Sequence, residues 1–113
     1  MMNGYDKTEA LAFITKRINP KDHRELAGHI DALISQAIDA DMAFMAEHGV
    51  LDADGNMGDA YYEEDDAFEY MVEALVAQNS LTPEQAVKVA SLVDDYMDFQ
   101  QEYLESKGLV DWE

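Results

Sequence analysis

The sequence predicts an all-α domain in which four helices pack as a bundle. Apolar residues recur at spacings of three and four along most of the chain, which is the period of an amphipathic helix. Helix-start signals precede several of these stretches, and sustained strand-like alternation is missing, apart from a short candidate hairpin at residues 50–57. Because 113 residues suit one domain, residues 1–113 are expected to fold as a single helical unit.

The first two helices are delimited by capping residues. Asp6 can cap the first helix, since its side chain can accept a hydrogen bond from a backbone amide in the first turn. Asn19 and Pro20 end this helix and start the second, with Asn as the cap and Pro at the first helical position. The second helix is expected to run on through Gly28, which weakens it, and to stop at Gly49.

An acidic loop is expected between the second and third helices, at residues 50–60, because this stretch is rich in turn-forming residues. The third helix is predicted over about 62–78. Thr82 and Gln85 can form a capping box at the start of the fourth helix, which is expected to stop at Gly108.

Two stretches of the chain resemble each other. Residues 38–52 and 93–111 both read as an amphipathic helix, a glycine stop and a short apolar return. A pair of related helical hairpins is therefore one description of the bundle, and a chance likeness between two glycine-ended helices is the other. Trp112 in the tail is expected to fold back into a partly buried position.

The charge of the chain is strongly negative. Twenty-five acidic residues against seven basic ones give a net charge of −18, and beyond residue 24 the only basic residues are Lys88 and Lys107. Such a surface repels nucleic acid and anionic membranes and attracts a basic protein or cations. The alternative is that the charge serves solubility alone. The small basic cluster of Lys16, Arg17, Lys21 and Arg24 is expected to pair with acidic helices or to form a homo-oligomer contact.

Composition also bears on chemistry and location. The chain has no cysteine, which excludes disulfides and thiolate chemistry. It has no apolar run of membrane-spanning length and no signal-peptide core at the N-terminus, so a cytoplasmic location is expected. No nucleophile motif or glycine-rich phosphate loop is present, and the prediction leans against an enzyme.

A calcium site is one hypothesis for the acidic loop. Asp52, Asp54, Asn56 and Glu63 occupy the first, third, fifth and twelfth positions of an EF-hand-like register, where oxygen ligands can surround a hard cation. The sixth position is Met57, whereas the EF-hand turn needs glycine there. The alternative is an Asp-Gly turn that happens to be acidic.

Acidic helix faces suggest a second metal hypothesis. Asp66 and Glu69 on the third helix, and Asp95 and Asp98 on the fourth, have the spacing of one helical face. If the two faces were opposed, they could bind Mg²⁺ or Mn²⁺ and activate water on a phosphate compound. This arrangement is similar to that of the all-helical nucleotide pyrophosphatases of the MazG type, although that family prefers glutamate-led pairs. Two solvated acidic faces are the alternative.

The histidines do not complete a metal centre in the sequence. His23 and His29 lie on either side of Glu25, but a bundle di-iron site needs a matching Glu-x-x-His on another helix, and the chain has none. Surface histidines are therefore expected.

Aromatic residues beside an acidic run favour protein recognition, since tyrosine supplies contact area and carboxylates steer association. The leading hypothesis is a non-enzymatic interaction module that binds, and inhibits or shields, a basic protein, without a cofactor. The metal-dependent hydrolase and the calcium-binding loop are the alternatives. The residues predicted to contact the partner are Tyr61, Tyr62, Glu63, Glu64, Asp65 and Asp66.

Overall fold

The structure, a computed structural model, describes residues 4–52, 54–56, 58 and 60–109. Trp112 and Met57, for which the sequence suggested a folded-back tail and one end of a hairpin, lie outside these residues. The described residues form an all-helical bundle, as predicted. Its elements are α1 (Lys7–Arg17), a 3₁₀ segment (Pro20–Leu26), α2 (Ile30–Glu47), α3 (Glu64–Asn79) and α4 (Pro83–Ser106).

The helices pack around one hydrophobic cluster. Helix α2 packs on α3, α3 packs on α4, and α1 lies against both α2 and α4. The apolar side chains that the sequence pattern places on the inner stripes are buried, including Ile14 in α1, Ile34 in α2, Met71 in α3 and Leu92 in α4. Burial of these stripes stabilises the helices, because isolated helices of this length are marginal in water. No helix in the described part of the chain is both long and apolar enough to cross a lipid bilayer.

The second helix is shorter than predicted. The side chain of Asn19 accepts a hydrogen bond from the amide of Lys21 at 3.0 Å, so the cap before Pro20 is present. The element that follows is a 3₁₀ segment, with non-helical backbone at His23 (φ −134°, ψ 45°). Gly28 has a φ of +85°, a left-handed conformation that an α-helix cannot contain. The chain therefore turns at residues 27–29 before α2 begins.

Helices α2 and α4 end in the same way. Gly49 and Gly108 have φ values of 75° and 68°, and the residue after each glycine donates its amide to a carbonyl of the last helical turn at 2.9 Å. This arrangement satisfies carbonyls that a helix end leaves unpaired. The elements that begin at the two prolines differ, because Pro20 begins a 3₁₀ segment whereas Pro83 begins an α-helix. The structural likeness between residues 38–52 and 93–111 therefore does not extend back to the prolines.

The predicted capping signals are present at α1 and α4. The carboxylate of Asp6 accepts the amide of Glu9 at 3.1 Å. Thr82 and Gln85 form the reciprocal capping box, with distances of 3.3 Å and 2.9 Å. These bonds fix the first turns of α1 and α4.

The connection between α2 and α3 contains a tight turn. The carboxylate of Asp52 accepts the amides of Asp54 and Asn56 at 2.9 Å and 3.0 Å, and the Gly58 amide donates to the carbonyl of Val50 at 2.7 Å. The hydrogen bonds are those of a hairpin turn, but the described residues include no strand. The loop places the hydroxyl of Tyr62 within hydrogen-bond distance of Asp41 on α2.

Candidate functional site

A buried carboxylate lies at the centre of the bundle. Asp41, on α2, is 3% exposed. Its Oδ1 accepts a hydrogen bond from the hydroxyl of Tyr62 at 2.7 Å, and its Oδ2 accepts one from the hydroxyl of Tyr96 at 2.9 Å. Three separate parts of the chain therefore meet at one carboxyl group, namely α2, the loop before α3, and α4.

Among the described residues, no cation pairs with the Asp41 carboxylate. Burial raises the pKa of Asp41 to about 6, although the hydrogen bonds from Tyr62 and Tyr96 act in the opposite direction. The ion pairs among the described residues all involve other carboxylates. With this pKa the group is mostly ionised at neutral pH, and its partners among the described residues are two hydroxyl groups. Buried charges in proteins are normally paired with an opposite charge.

Asp41 forms part of the floor of a pocket between α3 and α4, with a cavity volume of about 310 Å³. Half of the side chains that line it are carboxylates, and none is basic. The lining consists of Asp41, Tyr62, Glu64, Asp65, Phe68, Asp94, Met97, Asp98, Gln100 and Gln101. We call this the acidic pocket.

Carboxylates from two helices form the rim of the acidic pocket. Glu64 and Asp65 stand in the first turn of α3, where the helix dipole favours negative charge. Asp94 and Asp98 are one turn apart on α4 and exposed. Partial burial and the negative charges of Asp94 and Asp95 raise the pKa of Asp98. The rim is thus a region where negative charges repel one another and a cation would relieve the repulsion.

Gln100 adds an incompletely bonded amide to the lining. It is 3% exposed. Its Oε1 accepts a hydrogen bond from the hydroxyl of Tyr5 at 2.8 Å. Its Nε2 is buried and has no hydrogen-bond partner among the described residues. A buried amide group without a partner costs free energy, and here it belongs to a residue that lines an open pocket.

The predicted partner-binding residues differ in their exposure to solvent. Tyr61 is 78% exposed, and the acidic run from Glu63 to Asp66 is exposed as well. Tyr62 is only 8% exposed, so little of its side chain is accessible to a partner, and its role in partner binding stays a prediction. Its hydroxyl is instead committed to Asp41. Within the acidic run, Glu64 and Asp65 line the acidic pocket, whereas Asp66 does not.

The four carboxylates of the metal-hydrolase hypothesis are separated. Helices α3 and α4 do pack together, but only Asp98 of the four lines the acidic pocket. Asp95 contacts His23, and Asp66 and Glu69 are exposed on α3. In the described part of the chain, no group of three or more histidine or acidic side chains is placed to hold a metal ion.

The lack of a metal-binding group among the described residues applies to the calcium hypothesis as well. One oxygen of Asp52 is already engaged with the backbone amides of Asp54 and Asn56. A carboxylate that closes its own turn is found in an acidic Asp-Gly turn. Together with Glu63, these residues do not form a metal-binding group among the described residues. The calcium site stays a prediction.

His23 corrects the expectation that the histidines lie on the surface. Its side chain is 1% exposed, and its Nε2 lies 2.7 Å from Oδ2 of Asp95 on α4. The non-helical backbone at His23 turns the ring inward, where it ties the 3₁₀ segment to α4. His29, in contrast, is exposed at the start of α2.

Sequence reasoning missed Asp41 and Gln100. A signal for Asp41 was available, since it continues the apolar series Ile34, Ala37 and Ile38 at the next helical position on that face. A single acidic residue within an apolar stripe indicates a buried carboxylate. For Gln100 the signal is weaker, because glutamine is common on solvated helix faces.

No protein-family model, curated protein or solved structure shows significant similarity to the chain.

Proposed function

We propose that the chain is a non-enzymatic binding protein for a basic protein, and that the acidic pocket receives a cationic side chain of that partner. The observation that carries this proposal is the buried carboxylate of Asp41, which has no cationic partner among the residues that the structure describes and lies on the floor of a pocket with an acidic rim. A cationic side chain entering the pocket would supply the missing charge. It would also reduce the repulsion among the rim carboxylates.

The charge of the whole chain supports the same proposal. A net charge of −18 attracts a basic partner over distances comparable to the Debye length, about 8–10 Å at physiological ionic strength. Tyr61, exposed next to the start of α3, offers an aromatic contact close to the rim. The general charge accelerates encounter, and the acidic pocket provides the anchoring contact that makes the complex specific.

The experiment compares two charge-matched double variants. In D94N/D98N both changes are on the rim of the acidic pocket. In E73Q/E84Q both changes are at exposed positions on α3 and α4 outside that pocket. The probe is a fluorescently labelled peptide that contains several lysines and arginines, and its affinity is measured by anisotropy at low salt and at physiological salt.

We expect the rim variant to weaken binding about tenfold and the control variant to weaken it about twofold or less. Part of this difference should persist at physiological salt, because partly buried charges are screened less than exposed ones. Equal weakening by the two variants would mean that the peptide responds only to diffuse charge, and the proposal would then be abandoned.

A further inference from the structure

We propose that the cationic group that enters the acidic pocket is the guanidinium of an arginine side chain. This inference rests on the proposed function and makes it more specific. It draws on the size of the pocket, its hydrogen-bonding groups and its aromatic wall.

The size of the acidic pocket suits one side chain. Ligand pockets span roughly 300–1,000 Å³, and this one, at about 310 Å³, is at the lower limit. A nucleotide or a folded peptide would need more space. A single long side chain that extends from a partner's surface needs no more than such a pocket offers.

The acceptors of the pocket favour a donor with several N–H groups. Each oxygen of Asp41 accepts one tyrosine hydroxyl, and a carboxylate oxygen can accept a second hydrogen bond. Four more carboxylates stand on the rim. A guanidinium presents five N–H donors in a planar fork and can engage both oxygens of one carboxylate. A lysine ammonium has three donors on a compact, strongly hydrated centre, which costs more to bring next to a buried group.

The amide of Gln100 fits the same ligand once its oxygen and nitrogen are exchanged, because its unpartnered atom in the structure, Nε2, is a donor like the guanidinium itself. The hydroxyl of Tyr5 can donate to Oε1 or accept from Nε2, because a phenol is both donor and acceptor. The two orientations of a glutamine amide differ only in this hydrogen-bond network. When Nε2 bonds to Tyr5, Oε1 becomes the unpartnered atom, and an N–H of the guanidinium can donate to it. The bound arginine then gives the Gln100 oxygen a donor, on a side chain that is 3% exposed.

The wall of the acidic pocket that α3 provides carries an aromatic ring. Phe68 is half-buried and lines the pocket opposite residues of α4. The flat face of a guanidinium stacks on such a ring, and arginine makes this contact more often than lysine does. Within this protein, Arg17 already lies 3.5 Å from the ring centroid of Phe13, which shows the same pairing on α1.

The test uses three short peptides that differ in one central residue, which is arginine, lysine or the uncharged arginine analogue citrulline. Amide chemical-shift changes in the full-length protein give each dissociation constant, and the side-chain amide of Gln100 reports contact with the floor. We expect the arginine peptide to bind about fivefold to tenfold more tightly than the lysine peptide. The citrulline peptide should leave the pocket resonances unchanged.

A pair of phenylalanine variants tests the stacking contact. F68L removes the ring from the acidic pocket, whereas F99L makes the same change at a half-buried position on α4 outside that pocket. Thermal unfolding is used to check that both variants fold. We expect F68L to reduce the preference for arginine over lysine to about twofold or less and F99L to retain it. A preference unchanged in F68L would overturn the stacking geometry.

The outcomes separate this inference from the proposed function. Equal binding of the arginine and lysine peptides at the pocket resonances would overturn the arginine assignment and leave the proposed function standing. Binding of neither peptide at those resonances, or equal binding of the citrulline peptide, would overturn both.

Discussion

The hydroxyl of Tyr96 donates a hydrogen bond to the carboxylate of Asp41 at 2.9 Å, across 55 positions of sequence. This contact links α2 to α4 inside the bundle, where both residues are fully or almost fully buried. The same carboxylate binds Tyr62, which precedes α3. One polar group therefore fixes the positions of three parts of the chain, and it also forms the floor of the acidic pocket.

Replacing Tyr96 by phenylalanine should destabilise the protein by about 1.5 to 3 kcal/mol, because a hydrogen bond to a buried charged group is lost. The pKa of Asp41 should rise further, since this hydrogen bond lowers it. Urea unfolding at pH 7.5 measures the first effect. The matched control is Y61F at an exposed tyrosine, which should change stability by less than about 0.5 kcal/mol. Similar losses in both variants would contradict a special role for the Tyr96 hydroxyl.

Replacing Asp41 by asparagine should stabilise the protein above pH 6. The pKa of Asp41 is raised from 3.8 to about 6, so between these values the folded state binds more protons than the unfolded state. Stability therefore falls as the pH rises through this window, by about 3 kcal/mol when the shift is converted at 1.36 kcal/mol per unit. Asparagine, which does not titrate, should avoid this loss.

The measurement for Asp41→Asn is the difference in unfolding free energy between variant and wild type from pH 4 to pH 8. Taking the difference removes the contribution of the other carboxylates, which titrate in both proteins. The difference should grow in favour of the variant as the pH rises and level off above about pH 6. A difference that stays constant over this range would show that Asp41 does not titrate anomalously.

The contact between His23 and Asp95 should give a measurable coupling free energy in a double-mutant cycle. H23Q and D95N should each cost about 1 to 2 kcal/mol, because each removes one partner of a contact whose histidine is buried. The double variant should cost less than the sum of the two, by about 1 kcal/mol. D94N, which removes a neighbouring charge from the same helix, is the control for D95N. Strict additivity in the cycle would show that the two side chains act independently.

Gly28→Ala should destabilise the protein by about 1 to 2 kcal/mol, the cost of a left-handed conformation for a residue with a Cβ atom. The φ of Gly28 is +85°, and a Cβ added there would meet no atom within 4 Å. The cost is therefore conformational and not steric. Asparagine tolerates this region better, so G28N should recover part of the loss in thermal unfolding. An equal loss in both variants would argue against a backbone origin.

Sequence reasoning recovered local signals better than long-range contacts. The starts of α1 and α4 were predictable because Asp6, Thr82 and Gln85 act within one turn of the helix that they cap. The break at residues 27–29 was missed, because a glycine in a helical pattern costs only about 1 kcal/mol and does not by itself require a left-handed φ. The direction in which His23 points depends on the non-helical backbone at this residue, which the helical pattern did not indicate, so its burial could not be predicted either.

The acidic pocket could be predicted only in part. Glu64 and Asp65 were singled out from the density of acidic residues, which is a property of the sequence alone. The grouping of these residues with Asp94 and Asp98 depends on the rotation of α3 relative to α4, and helix packing decides that rotation. The same rotation places Asp98 in the lining of the acidic pocket and leaves Asp66, Glu69 and Asp95 out of it, although all four have the spacing of helix faces.

Helix α1 has a consequence for the order in which the chain folds. Tyr5 bonds to Gln100 and Tyr103 bonds to Glu9, across 95 and 94 positions, whereas α2, α3 and α4 each contact their neighbour in sequence. During synthesis on the ribosome, α1 is made before α2, α3 and α4, so its partners on α4 leave the exit tunnel after the other helices. The newly made chain therefore carries the apolar face of α1 without its full cover until α4 has emerged, and chaperones that bind apolar segments have this interval in which to act.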